Sequence, residues 1–191
     1  GNFVQRADTA VTDKYRRAAA VVASGADLII ELPLPYAVAS AEDFAEGGIT
    51  VLSATGVVDA ICCGCESGDE KNRLQYEALC RAERDGIIGE KMQNGLSYPA
   101  ACRAAVTESG ERWSNEPNDV LALAYRKALH RISPEIPLIA IKRKGNYHGD
   151  GEENGFESAQ SIRKRFAAGE NVTKALPPAS YSMLKDGEIS D

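Results

Sequence analysis

The stretch that decides the fold is VVDAICCG, residues 57–64, in which a short apolar run leads into two cysteines and a glycine. The run itself, residues 57–61, predicts a strand, and a helical pattern with Leu74, Ala78 and Leu79 on one stripe follows it. A strand that gives way to a helix within a few residues is typical of a β-α-β unit.

Two further strands are predicted at residues 28–30 and 138–141, each a short continuous apolar run of the kind that is buried on both faces. Helical patterns separate the three runs, which implies right-handed crossovers. We therefore predict an α/β fold with a Rossmann-like, mostly parallel sheet and helices on both faces. Ligands bind such sheets beyond the carboxyl ends of the strands, here after Ile30, Ile61 and Ile141.

Helix starts are predicted where a small polar residue precedes a helical pattern. These positions are Thr12 or Asp13, Ser40 with Asp43 in a capping box, Ser97, Asn118 and Ser158.

Composition is that of an ordinary globular chain, with 191 residues, 43% of them hydrophobic and 26% charged. The net charge of −6 argues against a protein that wraps nucleic acid through bulk charge, although the basic runs 142–144 and 163–165 form either a local basic face or solvated surface. Neither a run of about 20 apolar residues nor a targeting peptide is visible, so we expect no membrane partner.

The five cysteines are an odd number, which does not suggest a disulfide framework. Cys62, Cys63 and Cys65 are spaced too closely for a zinc knuckle, so we expect no metal site and interpret them as small buried residues at a strand end. A reduced, cytoplasmic compartment follows.

Four polar or flexible positions could contact a ligand, and each also has a structural interpretation. Gly64 permits close approach to a nucleotide or simply makes a strand-to-helix turn. Asn118 contacts a ligand or caps its own helix. Arg143 follows a strand and suits a phosphate or carboxylate, or lies on the surface. His148 is an acid or base, or a solvated loop residue.

The segment SAQSIR, residues 158–163, opens a helix whose free amides attract anions, unless it is a plain capped helix. The sequence contains neither GxxxxGK[ST] nor GxGxxG. From the residues alone we predict a nucleotide-binding α/β domain of unknown reaction.

Taken in order, many segments resemble one family. They are GNFVQR (1–6), DKYRR (13–17), GADLIIELP (25–33), YAV (36–38), AEGG (45–48), GCESGD (64–69), GLSYPA (95–100), PN (117–118), YH (147–148) and SAQSIR (158–163). This order is similar to that of the tRNA(Met) cytidine acetate ligase family, a branch of the nucleotidylyltransferase superfamily.

The resemblance implies that ATP, accompanied by Mg²⁺, activates acetate as acetyl-adenylate with release of pyrophosphate. The acetyl group would then pass to N4 of the wobble cytidine of elongator tRNA(Met), giving N4-acetylcytidine and AMP. The implied ATP-binding residues are Gly64, Asn118, Arg143, Ser161 and Arg163, and the polar residues implied near the site are Gln5, Arg6, Lys14 and Arg17.

The superfamily's HxGH motif would precede Gly1, so its catalytic histidines are absent and we expect this chain to be inactive alone. We expect a nucleotidylyltransferase-like catalytic domain over residues 1–170 that lacks its first strand. Residues 171–191 would begin a C-terminal helical extension. Two alternatives stay open: an adenylyltransferase for a small metabolite, and a non-catalytic nucleotide- or RNA-binding module.

Overall fold

The computed structural model describes residues 10–143, 157 and 159–185. The chain divides into two compact units. One unit is Ser40–Arg143, and the other takes its described residues from Gly1–Ala39 and Lys144–Asp191. No helix in the described ranges is long and apolar enough to cross a membrane.

The unit Ser40–Arg143 contains a parallel pair of strands and five helices among its described residues. In chain order its elements are α3 (Ala41–Ser53), β1 (Ile61–Cys65), α4 (Asp69–Arg84), α5 (Ile87–Gln93), α6 (Tyr98–Glu108), α7 (Pro117–Ile132) and β2 (Leu138–Lys142). The register runs from Ile61 opposite Leu138 to Cys65 opposite Lys142, so both carboxyl ends lie at the same edge. The predicted α/β class is therefore confirmed.

Three apolar clusters hold this unit together. Ile49 of α3 packs with Ile61 of β1 and with α7. Leu79 of α4 packs with α5 and α6. The third cluster joins Cys65, Ala122 and Ala140, which places α7 against the two strands near their carboxyl ends. Small residues at this third contact let the helix approach the strands closely.

The other unit contains α1 (Lys14–Ala23), α2 (Leu34–Ala37), α8 (Ala159–Ala167), a 3-10 helix (Thr173–Ala175) and α9 (Pro178–Lys185). The α1 helix begins as predicted, because the Asp13 side chain accepts hydrogen bonds from the amides of Tyr15 and Arg16. Gly25, at φ 111°, ends it in the left-handed region.

The prediction of a buried strand at residues 28–30 is wrong. These residues have no regular structure, and Leu28 is 65% exposed. Apolar composition alone does not make a strand, because a strand needs a neighbour to satisfy its amide and carbonyl groups. Among the described residues, β1 and β2 pair only with each other.

The strand predicted at residues 57–61 is also displaced. It begins at Ile61, whose amide donates to the Pro137 carbonyl at 2.9 Å, and it continues to Cys65. Residues 57–60 do not extend the strand, because the partner strand begins only at Leu138, opposite Ile61. The Val57 side chain is 76% exposed. The strand predicted at 138–141 is confirmed as β2.

Two predicted caps behave differently in the structure. The Ser40 hydroxyl accepts from the Asp43 amide at 3.3 Å and caps α3 as predicted. The α7 helix begins two residues earlier than a cap at Asn118 predicts, at Pro117, and its N-cap residue is Glu116. The Asn118 side chain therefore does not cap this helix, contrary to that expectation. Ser158 lies outside the described residues.

Candidate functional site

The carboxyl ends of β1 and β2 bring Gly64 and Arg143 together. The Arg143 amide donates to the Cys65 carbonyl at 2.8 Å, which carries the ladder one residue past β2. The Arg143 side chain then lies across β1, because a Cβ placed on Gly64 would be 3.4 Å from Cγ and 3.7 Å from Cδ of Arg143. Both residues are exposed at this edge. A side chain at Gly64 would therefore be in van der Waals contact with the arginine.

Asn118 is joined to the loop that follows β1. Its Nδ2 donates to Glu66 Oε1 at 2.6 Å, and the Asp119 amide donates to Glu66 Oε2 at 2.9 Å. Glu66 lies two residues beyond Gly64. The structure therefore places three predicted residues, Gly64, Asn118 and Arg143, on the segments that meet at one edge of the sheet.

The Asp119 carboxylate in turn accepts hydrogen bonds from the loop that contains Glu66. Its Oδ1 accepts from the amides of Glu66 at 2.9 Å and Ser67 at 3.0 Å, and from the Ser67 hydroxyl at 3.1 Å. The Ser114 hydroxyl donates to Oδ2 at 2.6 Å. Asp119 is only 1% exposed, so these donors offset the cost of burying a carboxylate. We call this reciprocal set the Glu66–Asp119 brace.

Sequence reasoning missed both residues of the brace. An Asp in the first turn of a helix normally interacts with that helix's own amides. Here its partners lie 52 and 53 residues away along the chain, and no local pattern signals such a contact. The only available clue was that a loop of interest, residues 64–69, already contained Glu66.

A second polar cluster supports the brace from α4 and α7. Arg126, whose side chain is 11% exposed, donates to Asp69 at 2.5 Å and to Asn72 at 2.9 Å. Asp69 also accepts from the Ala140 amide of β2 at 2.9 Å. The buried Asn72 donates to the Asp119 carbonyl at 3.1 Å. The start of α4 is thereby fixed to both α7 and β2.

A cavity of about 530 Å³ begins at the brace, a volume within the range of small-molecule sites. Lys142, at the end of β2, lines it and lies beside Gly68, where a Cβ would be 3.8 Å from the lysine's Cβ and Cδ. The charged residues that line it are Glu66, Lys71, Glu111, Arg112, Glu116, Asp119 and Lys142. Both signs of charge therefore border this cavity.

A second cavity, of about 620 Å³, lies among α3, α4, α6 and α7, with Tyr98 and Lys127 in its wall. Lys127 donates to Glu42 at 3.1 Å and to Tyr98 at 3.0 Å, and Tyr98 donates to Glu83 at 3.0 Å. Burial raises the pKa of Tyr98 to about 12. Burial opposes the charge on Lys127, but its bond to Tyr98 and the charge of Glu42 raise its pKa overall. Neither group can exchange a proton readily near neutral pH.

Two thiols of β1, those of Cys63 and Cys65, have raised pKa values and are poor nucleophiles near neutral pH. Burial raises the pKa of Cys63 to about 11 and also raises that of Cys65. Cys65 is buried as expected, whereas Cys62 is exposed, because alternate residues of a strand face opposite sides. Within the described residues no group of three metal-binding side chains occurs.

The remaining predicted site residues that the structure describes lie in the other unit. Ser161 and Arg163 are on α8, where the Ser161 hydroxyl donates to Glu157 at 2.6 Å. Lys14 pairs with Glu31 at 2.7 Å, and Arg17 donates to the Thr12 carbonyl at 3.2 Å. Gln5, Arg6 and His148 lie outside the described residues. The ligand-binding roles of all these residues stay predictions.

The parallel strands carry a glycine and an arginine at their carboxyl ends, and an asparagine from the start of α7 bonds to the loop after β1. This arrangement is typical of the class of α/β proteins that bind ligands at the carboxyl edge of the sheet. The profile of the HIGH nucleotidyl transferase family matches residues 1–190, and the chain belongs to that family.

The curated relatives carry the name that the sequence motifs predicted. A tRNA(Met) cytidine acetate ligase of Acetivibrio thermocellus is 39% identical over 96% of this chain and 48% of its own length. One from Halothermothrix orenii is 37% identical over 97% of this chain and 49% of its own length. The chain thus spans about half the length of the relatives it matches.

This chain is also similar in structure to a solved protein. The crystal structure of Thermotoga maritima TmcAL bound with alpha-thio ATP matches with a TM-score of 0.78 and 32% identity, over 97% of this chain and 46% of that one. The apo form of the same protein matches with a TM-score of 0.77.

Proposed function

We propose that this chain is the ATP-binding part of a tRNA(Met) cytidine acetate ligase. The names of its relatives and the ATP analogue in the Thermotoga structure support an ATP-using ligase. The observation that carries the proposal is the placement of Gly64, Asn118 and Arg143 on segments that meet at one edge of the sheet. These are three of the five residues that the family resemblance assigns to ATP.

The residues at this edge fit the two halves of a nucleotide. The Arg143 guanidinium can bind a phosphate through two parallel hydrogen bonds. Gly64, without a side chain, lets the backbone approach the ligand. Asn118 offers an amide that can bind a neutral polar group. By the resemblance, Ser161 and Arg163 would bind the triphosphate, and Mg²⁺ would be held largely by phosphates and water.

The proposed reaction has two steps. In the first step an acetate oxygen attacks the α-phosphorus of ATP, and the bond between this phosphorus and the oxygen that bridges to the β-phosphate breaks. The products are acetyl-adenylate and pyrophosphate. The N4 amine of the wobble cytidine of tRNA(Met) then attacks the acetyl carbonyl, AMP leaves, and N4 loses a proton. The protein's task is to hold both reactants in line and to neutralise developing phosphate charge, which is the work proposed for Arg143. RNA binding and a cytoplasmic location stay predictions.

The test uses the full-length protein carrying this chain, with ATP, acetate and tRNA(Met). We expect acetate-dependent release of AMP and pyrophosphate, and N4-acetylcytidine after digestion of the tRNA. Arg143→Ala should lower kcat/KM on the order of a hundredfold, since it removes a charge from the phosphate site. The matched control is Arg131→Ala, because Arg131 is 64% exposed and pairs with Glu46 on α3.

Other outcomes point elsewhere. Release of pyrophosphate with a phosphorylated small molecule, without any response to acetate, would indicate an adenylyltransferase. Salt-sensitive tRNA binding without turnover would indicate a binding module. An unchanged rate in Arg143→Ala would refute the proposed site even if the reaction is observed.

A further inference from the structure

The orientation of the Asn118 amide follows from its partner. A carboxylate has only acceptor oxygens, so the Asn118 atom that lies 2.6 Å from Glu66 Oε1 must be the amide nitrogen. The other Glu66 oxygen is held by the Asp119 amide at 2.9 Å, which fixes the carboxylate in turn. Both bonds come from the first turn of α7. The side chain therefore has one defined orientation.

This orientation decides what Asn118 can recognise. The nitrogen and oxygen of a carboxamide lie on opposite sides of the amide carbon, so Oδ1 is turned away from Glu66 and is an acceptor. Asn118 also lies beside the carboxylate of Glu66, whose Oε1 is 2.6 Å from the Asn118 amide nitrogen. The negative charge of this carboxylate disfavours a phosphate near Asn118 and favours a neutral group that donates a hydrogen bond.

We propose that Glu66 is a positioning residue that orients Asn118 so that its Oδ1 accepts a hydrogen bond from the nucleoside half of ATP. The donor is a ribose hydroxyl or the exocyclic amine of the base. This inference rests on the proposed function, because it takes ATP as the ligand. It divides the site by charge: Arg143 faces phosphate, and Asn118 faces the nucleoside.

Glu66→Gln inverts the arrangement with little change of shape. The remaining oxygen of the substituted side chain can still accept from the Asp119 amide, while its new NH₂ group favours the Asn118 oxygen as a partner. Asn118 then presents N–H outward instead of its oxygen. We expect ATP and adenosine to bind more weakly by a similar factor, on the order of tenfold, and tripolyphosphate to bind unchanged.

The double variant Glu66→Gln/Asn118→Asp restores the acceptor. The new amide at position 66 can donate to one oxygen of the new carboxylate at position 118, which leaves the other oxygen facing the ligand. We expect Asn118→Asp alone to bind ATP weakly, since it sets a carboxylate beside Glu66. The double variant should recover to within about threefold of the wild-type affinity. A merely structural role for Glu66 would not produce this recovery.

The measurement is isothermal titration calorimetry on the full-length protein, with thermal unfolding to verify the fold of each variant. The exposed Glu90→Gln on α5 is the matched control. The 2′-deoxy and 3′-deoxy forms of ATP, and the triphosphate of purine riboside, identify the donor. Whichever analogue already lacks the donor should lose no further affinity in Asn118→Ala.

The outcomes separate the two proposals. If the wild-type protein does not bind ATP, the proposed function fails. If ATP binds and Glu66→Gln binds it equally or more tightly, Asn118 donates to phosphate or makes no contact, and the inference is overturned. A double variant as weak as Asn118→Asp would overturn it as well.

Discussion

Two polar clusters of the Ser40–Arg143 unit differ in what they hold. The Glu66–Asp119 brace joins backbone amides to a carboxylate that is 1% exposed. The cluster around Tyr98 and Lys127 joins only side chains, and its Glu42 side chain is 65% exposed. Water can replace the hydrogen-bond partners in the exposed cluster around Tyr98 and Lys127, but it cannot replace them in the buried Glu66–Asp119 brace. The path of the loop at residues 64–69, which we call the site loop, therefore depends on the buried Asp119 rather than on the more exposed ion pairs.

The largest expected effect comes from replacing Asp119. Asp119→Leu leaves the amides of Glu66 and Ser67 without their acceptor in a buried place, which should lower the free energy of unfolding by about 3 kcal/mol. Asp119→Asn keeps one acceptor oxygen, and its nitrogen can donate to the Ser114 hydroxyl, so we expect a loss of about 1 kcal/mol. Urea unfolding measures both.

Equal losses in the two Asp119 variants would contradict this account of the brace. They would show that the site loop does not depend on a buried acceptor, and the distinction between the two clusters would fail.

The sequence predicts only part of the site, and the brace belongs to the part that it does not predict. Gly64 and Arg143 could be paired in advance, because the carboxyl ends of parallel strands share an edge and each residue lies at such an end. The start of β1 could not be predicted, because residues 57–60 look like a strand and pairing begins only where the Ile61 amide meets the Pro137 carbonyl. Asp119 could not either, since its partners are distant along the chain and the local signal is that of a helix start.

The stability that the cluster around Tyr98 and Lys127 contributes should fall at alkaline pH. The folded protein raises the pKa of Tyr98 from 10.0 to about 12, so the unfolded chain loses this proton first. Stability that is present below pH 10 is then lost as the pH rises from about 10 to 12. The raised pKa of Lys127 acts in the same direction, because its paired charge is favoured in the folded state.

Tyr98→Phe tests the origin of that loss. At pH 8 we expect it to cost about 1.5 kcal/mol, because it removes hydrogen bonds to Lys127 and Glu83. Between pH 10 and 12 its melting temperature should fall less steeply than that of the wild type. If the melting temperatures of Tyr98→Phe and the wild type fall equally steeply over this pH range, the loss of stability comes from other groups. One such group is Tyr125, whose pKa burial also raises to about 12.

The smallest expected effect on stability compares two glycines of the site loop. Gly68 has φ 92°, so Gly68→Ala strains the backbone and should cost about 1 kcal/mol. Gly64 does not have a positive φ, and its added Cβ would meet only the flexible Arg143 stem at 3.4 Å. Gly64→Ala should therefore unfold at nearly the wild-type urea concentration.

Gly64→Ala should nevertheless weaken ATP binding on the order of tenfold, because the new methyl group occupies the exposed edge that the ligand approaches. Gly68→Ala supplies the control, since its strain changes stability more than it changes the edge at Gly64. If Gly68→Ala weakens ATP binding more than Gly64→Ala does, the loop acts as one unit. The division between a brace that sets the loop path and an edge that binds the ligand would then have to be abandoned.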